Sequence, residues 1–321
     1  MDRPNYKPRY SIESIDILAT VLGLAPQELT SLSSSAQNYY RPNRPKEKPD
    51  GRFRQTYKVL PPLDNVQQNI KKNIFYDVYF PSYLLGGIRD VENPRDYVKN
   101  ASLHAQNKIF LKEDIYNFFP SIRAVLVFDI WKSFFCFPIE LCKLLTNITT
   151  FKGFVPQGAS TSQYLANLVF WEKEPELEHN LSHNGCVYSR YFDDITISSK
   201  EKILPAGLKQ ITEMVYQMLF SLRFRPKRKK RKVMTLRNRV HIHNLNINSG
   251  KPTLSRTERR EIRNAVHECE VAASIDLDPQ IYEKLYNSVR GRVAHLKRFH
   301  PSQAKQYIER LELIKPEKIN R

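Results

Sequence analysis

The sequence predicts an α+β fold, and three features of its hydropathy pattern carry that expectation. Segments that alternate polar with apolar, β-branched or aromatic residues occur at 51–60, 109–115 and 187–198. Between them run stretches whose apolar residues recur every three or four positions, the period of a helix with one buried face. Beyond residue 257 only the helical period remains. A chain of 321 residues that is 41% hydrophobic and 11% aromatic can bury two or three packed subdomains.

In chain order, SIESIDILATVL at 11–22 has apolar residues at 12, 15, 17, 18, 21 and 22 and reads as a helix capped by Ser11. A second short helix begins near Pro26. Residues 38–50, NYYRPNRPKEKPD, are proline-rich and basic and read as an exposed connector. GRFRQTYKVL at 51–60 reads as a strand, residues 63–75 as a helix, and IFLKEDI at 109–115 as a strand running into a turn. Residues 124–148 and 162–177 read as helices on either side of the PQGAS turn. VYSRYFDDITIS at 187–198 reads as a hairpin, because Val187, Tyr188, Tyr191, Ile195, Thr196 and Ile197 favour strands while the two aspartates suit a tight turn. Helices at 257–270, 281–295 and 301–316 close the chain.

The 51 Lys and Arg against 33 Asp and Glu give a formal charge of +18, and residues 223–263 hold 15 of those basic groups against two acids. Such a concentration favours a polyanionic partner, either nucleic acid or an anionic membrane surface. The most apolar region, 124–145, contains Asp129, Lys132, Pro138, Glu140 and Lys143 and fails as a membrane span. Residues 1–10 are polar and basic, with no apolar stretch of the kind a signal peptide needs. Cys136, Cys142, Cys186 and Cys269 have no C-x-x-C spacing, so neither a zinc site nor a disulfide framework is expected. The expectation is a soluble cytoplasmic protein.

Asp193 and Asp194 sit at the expected hairpin turn, and Asp114 ends a separate expected strand. Three strand-borne carboxylates that meet can hold two Mg²⁺ ions through hard oxygen ligands, the arrangement that supports in-line phosphoryl transfer. An isolated Asp-Asp pair is more often a solvated turn, so its neighbours decide. They are FLKEDIYNFFPSI at 110–122, VPQGASTS at 155–162 and YFDD at 191–194, with NASLH at 100–104 preceding all three. These segments, in this order, resemble those of reverse transcriptases, specifically the bacterial retron type, and the likeness runs from about residue 12 to the end. It implies a right-hand polymerase of fingers, palm and thumb, divided as 1–45, an N-terminal helical extension; 46–240, fingers and palm; and 241–321, a thumb that binds RNA or duplex.

Carried over position by position, the resemblance makes Asp114, Asp193 and Asp194 the catalytic metal ligands, with the backbone carbonyl of Ile115 completing one shell. Phe119 falls where the family places an aromatic ring beneath the incoming sugar, although Phe118 and Phe119 also read as core. Gln157 and Gly158 fall under nucleotide and template, Gly158 by allowing close backbone approach. Lys48, Arg52 and Arg54 are alternatives for the clamp on the dNTP triphosphate, since planar guanidinium groups suit phosphate oxygens. Lys229 or Lys230 aligns with the family lysine near the leaving pyrophosphate, the run KRKKRK leaving the register open. Asn100, His104, Tyr191, Phe192, His243 and Asn244 fall in nucleic-acid-contacting segments. Arg256, Arg259, Arg260 and Arg263, at helical spacings of three and four, suit a template-primer groove or RNA stem.

The pattern is not followed everywhere. Ile242-His243-Asn244 stands where V-T-G is common, Phe192 where a small residue is usual, and Ser160 and Gln163 replace two prolines after P-Q-G. The resemblance implies an enzyme that copies a structured noncoding RNA into DNA, primed from an RNA 2′-OH to leave a branched hybrid (msDNA), in antiphage defence with a separately encoded effector protein. Two alternatives stand beside it: a nucleoprotein scaffold or antitoxin that restrains the effector, and a reverse transcriptase of the group II intron, diversity-generating or abortive-infection kind.

Overall fold

The alternating segments pair into one antiparallel sheet of four strands in the order Lys232–Thr235, Ile109–Asp114, Asp194–Ser199, Cys186–Tyr191. The register sets Asp114 beside Asp194 and Tyr191 beside the same Asp194. Both faces of the inner strands are covered, so Glu113, Thr196 and Ser198 are buried along with Phe110, Leu111, Ile195 and Ile197. The computed structural model describes residues 1–47, 51, 53–275 and 277–316.

Residues 1–100 and 107–235 form one compact unit, and residues 101–106 with those from 236 onward form a second. In the first unit the helices Ile15–Leu22, Pro26–Ser35, Leu63–Asn73 and Ile139–Thr149 share a single apolar cluster with the sheet. Its centre is aromatic: Phe75 stacks on Tyr164 at 5.2 Å, and Trp131 lies 4.8 Å from Phe135 and 5.3 Å from Phe75. The N-terminal residues belong to this core, with Leu18, Leu22 and Leu29 fully buried and the Ser33 hydroxyl donating to the Leu144 carbonyl at 3.3 Å.

The second unit is a hairpin, His241–Ile242 with Leu245–Asn246, followed by the helices Arg256–Ala273, Pro279–Lys297 and Pro301–Glu312. The turn residues His243 and Asn244 have φ of 50° and 66°, the two left-handed positions of a tight two-residue hairpin turn, a conformation Asn tolerates well. Ser255 and Glu258 form a reciprocal capping box at the start of the first helix. Arg310 grips Glu270 through two parallel bonds of 2.7 and 2.6 Å.

Several elements differ from the sequence reading. Ser14, not Ser11, caps the first helix, accepting the Ile17 N–H at 3.3 Å, while Ser11 donates to Glu13. The strand expected at 51–60 is two short ones: Phe53–Arg54 pairs with Lys46–Glu47, and Tyr57–Val59 with Tyr40–Pro42, so the connector read at 38–50 supplies strands as well. The helix expected at 124–148 breaks between Phe134 and Ile139, where Cys136 takes φ 56° and Pro138 starts the next helix. The one expected at 162–177 is Ser162–Leu168 and Glu174–His183, because Pro175 lacks the N–H that a continuous helix would need there. A helix at Pro205–Ser221 and the sheet strand Lys232–Thr235 were not read from the sequence.

Candidate active site

The strand Ile109–Asp114 delivers Asp114 to one end of the sheet, and the hairpin delivers Asp193 and Asp194 to the same end. Two backbone bonds fasten this end: the Ile115 N–H donates to the Asp193 carbonyl at 2.9 Å and the Lys227 N–H to the Asp114 carbonyl at 2.6 Å. Phe192, at the turn, has φ 55°. The Asp193 carboxyl is pushed up to about 6 by burial and by the neighbouring charges of Asp194 and Asp114. Burial also raises Asp114, against the opposing pull of Lys230, whose ammonium is hydrogen-bonded to Asp114 Oδ2. Like charges crowded in this way favour a bound cation, and three carboxylates are a hard-oxygen donor set. Among the described residues no three His, Cys, Asp or Glu side chains are drawn into a ready-made metal cluster. The donors suit a divalent ion, with Lys230 occupying one of them.

A cavity of about 550 Å³ opens beside these acids, lined among others by Arg54, Tyr57, Tyr116, Gln157, Lys227 and Lys230 together with Asp114 and Asp193. Tyr57 ties one wall to the other: its N–H donates to the Gln157 carbonyl at 2.7 Å. Gly158 has φ 109°, and a Cβ there would collide with the Tyr57 carbonyl. The close approach read from the sequence at Gly158 is therefore made to a protein strand.

Of the three basic residues named for a triphosphate clamp, Arg54 lines the cavity; Lys48 and Arg52 lie outside the described residues. Lys230, rather than Lys229, reaches the acids, and Lys227, which the sequence reading missed, joins it along the cavity wall. Phe118 is buried, as one of the two rings was expected to be, while Phe119 is half-buried between Phe118 at 5.7 Å and Phe192 at 5.9 Å. Phe119 stands beside the cavity-lining residues rather than among them. The Phe192 ring fills space that glycine leaves open, since a Cβ on Gly86 or Gly87 would fall within 2.7–3.1 Å of it.

Asn100 and His104 are fully buried, and Asn100 accepts the Ser189 hydroxyl at 2.5 Å, so their side chains face protein rather than solvent. Tyr191 is half-buried. In the second unit Arg256, Arg260, Arg263 and Asn244 are exposed and His243 is half-exposed. Arg259 is half-buried with its Nε unpartnered, and burial together with the charges of Arg259 and Lys251 holds His300 below the usual histidine range. One of the two replaced prolines, at Ser160, has a local explanation. Ser160 accepts from Gln68 at 2.7 Å and donates to Asp64 at 3.1 Å, fastening the P-Q-G turn to the helix Leu63–Asn73.

Comparison with known proteins adds the family. Residues 46–276 match the family described as reverse transcriptase (RNA-dependent DNA polymerase). The chain is 29% identical to the Retron Se72 reverse transcriptase of Salmonella heidelberg, over 97% of this chain and 82% of that one. It is 30% identical to the Retron Ec48 reverse transcriptase of Escherichia coli, over 98% of this chain and 79% of that one. Among solved structures, a Sicinivirus 3Dpol RNA dependent RNA polymerase aligns with a TM-score of 0.46 and 11% identity over 90% of this chain and 72% of that one. No helix among the described residues is long and apolar enough to cross a membrane. The chain belongs to the reverse transcriptases, of the bacterial retron type: a right-hand, divalent-metal-dependent polymerase that builds DNA on an RNA template from nucleotide substrates.

Proposed function

We propose that Asp114, Asp193 and Asp194 form the catalytic centre of this polymerase and hold two Mg²⁺ ions, with the Ile115 carbonyl contributing to one of them. The observation that carries the reading is the meeting of Asp114 and Asp193 on the wall of a cavity that also presents Arg54, Lys227 and Lys230. Bound there, the ions supply Lewis-acid stabilisation of the attacking and leaving oxygens. The protein's own groups do the rest. Arg54 grips the triphosphate through its planar fork, and Lys227 and Lys230 neutralise the leaving pyrophosphate. Gln157 lies under the nucleotide, positioned by the Tyr57 strand.

Phe119 acts as the sugar gate, braced by Phe118 and Phe192. Phe119→Ala is expected to raise rNTP incorporation about 10- to 100-fold relative to dNTP, the scale on which a pocket discriminates small groups. Competition between the two nucleotide types on one RNA template measures this, and an unchanged ratio moves the gate elsewhere.

We assign fingers and palm to 46–240, an N-terminal helical extension to 1–45 and an RNA- and duplex-binding thumb to 241–321. The exposed Arg256, Arg260 and Arg263 on one helix support the thumb assignment. Neutralising all three with alanine should weaken template-primer binding and lower the slope of log affinity against log salt by about 2 to 3. A binding series from low to moderate salt checks it, and an unchanged slope places the phosphate contacts on other residues.

We further infer, from what the resemblance to the retron type implies, a cognate structured noncoding RNA copied from one of its own 2′-hydroxyls into msDNA, and a separately encoded effector in phage defence. The likeness to two retron reverse transcriptases supports the retron part of this reading. The test is purification of the protein from its native operon, followed by RNase, DNase and debranching treatment of the bound nucleic acid. A branched RNA–DNA hybrid with Mg²⁺- and dNTP-dependent extension is the expected result. RNA alone, with no extension, overturns the proposal.

A further inference from the structure

We propose that Arg190, held by Glu174, is a positioning residue for DNA synthesis: its guanidinium fixes the carbonyl of Phe192 and thereby sets the turn that carries Asp193. The inference rests on Asp193 acting in the catalytic centre proposed above.

Arg190 is completely buried, with a relative exposure of 0%, three residues before Asp193. All five of its guanidinium N–H groups are spent. Nε and Nη2 form a fork on Glu174 at 2.6 and 2.7 Å, Nη2 also reaches the Asn167 carbonyl at 3.0 Å, and Nη1 donates to the carbonyls of Ala166 and Phe192, both at 3.2 Å. The rings of Phe170 and Phe118 flank the group at 5.3 and 5.8 Å. Glu174 is itself oriented by the Tyr188 hydroxyl at 2.6 Å. A buried ion pair is a poor device for stability alone, because apolar side chains of similar size commonly serve as well or better.

What an apolar pair could not do is hold the turn. The Phe192 carbonyl belongs to the peptide that precedes Asp193, and the Asp193 carbonyl to the peptide that follows. The first is held by Arg190 and the second by the Ile115 N–H at 2.9 Å. With both flanking peptides anchored, the backbone torsions of Asp193 are restrained, and with them the direction of the Cα–Cβ bond from which its carboxylate extends. The left-handed φ of 55° at Phe192 needs such a restraint, since a bulky aromatic residue does not favour it. Lysine cannot replace the fork, having one nitrogen where Arg190 places three against five acceptor contacts.

Two variants of the full chain test this. Arg190→Lys keeps the charge for Glu174 but loses the fork. The double variant Arg190→Met with Glu174→Gln removes both charges and keeps an acceptor for Tyr188. Each is compared with wild type by thermal unfolding, template-primer affinity, steady-state extension and Mg²⁺ titration, alongside Asp193→Asn. The expected result is a kcat about 10- to 100-fold lower, the scale of a small misplacement of a reacting group, with template-primer affinity nearly unchanged and the half-saturating Mg²⁺ concentration raised. A purely structural role would not move the Mg²⁺ midpoint of folded enzyme. Wild-type kcat and Mg²⁺ midpoint in either folded variant, with Asp193→Asn inactive, overturn the positioning role. An active Asp193→Asn instead overturns the catalytic reading beneath it.

Discussion

Asp193→Asn is expected to abolish DNA synthesis while leaving RNA bound to the purified protein. Losing a preorganised charge-stabilising group typically costs about 10²- to 10³-fold, and removing a metal ligand belongs at or beyond the upper end. The substitution keeps the shape of the side chain and the Asp193 carbonyl that takes the Ile115 N–H, so the turn itself should persist. It also removes one of three mutually repelling carboxylates, since burial and the charges of Asp194 and Asp114 push Asp193 up to about 6. The variant should therefore unfold in EDTA no more easily than wild type, which separates a catalytic defect from a folding defect. RNA retention follows because the exposed arginines of the second unit are untouched. Primer extension, calorimetry and extraction of bound nucleic acid on one preparation decide it. Normal DNA in this variant would remove Asp193 from the centre.

What could be read from the sequence was what has local contrast. Asp193 and Asp194 stood out because they interrupt an otherwise β-branched and aromatic hairpin, whereas Asp114, directly after Lys112 and Glu113, was marked by the family-like segment FLKEDIYNFFPSI around it. KRKKRK offers no such contrast, so Lys229 and Lys230 could not be told apart by hydropathy. The structure separates them by period. Arg228–Lys230 is a 3₁₀ turn, which returns to the same side every three residues. Lys227 and Lys230 thus line the cavity, while Arg228 lies over the Tyr216 ring and Arg231 bonds Thr212 and pairs with Glu113. The same basic run hid the edge strand Lys232–Thr235, whose pattern is set by pairing with Ile109–Asp114 rather than by its own residues. The role of Arg190 was illegible for a different reason: its partner Glu174 is sixteen residues away in sequence, at the start of the helix Glu174–His183, a position read as the interior of one continuous helix.

Gly158→Ala should be the most damaging single-methyl change in the cavity wall, and Gly153→Ala is its control. Both glycines lie in the left-handed region, at φ 109° and 81°, so alanine at either bears backbone strain of about 1–3 kcal/mol. Their surroundings differ. A Cβ on Gly153 meets nothing within 4 Å, whereas one on Gly158 collides with the Tyr57 carbonyl. That carbonyl cannot step aside cheaply, because Tyr57 is paired with Pro42, its N–H is bonded to the Gln157 carbonyl at 2.7 Å, and its ring packs on Phe151 at 5.0 Å. Relief therefore has to come from parting the Tyr57 strand from the P-Q-G turn, which shifts Tyr57 and Gln157 in the cavity wall. Gly153→Ala should lower the melting temperature by a few degrees and leave dNTP kinetics near wild type. Gly158→Ala should lower kcat/KM for dNTP about 10- to 100-fold as well, the penalty for a substrate held out of line with the reacting groups. Equal kinetics in the two variants would mean that the turn yields without moving the strand, and that the contact between Gly158 and Tyr57 does not shape the nucleotide site.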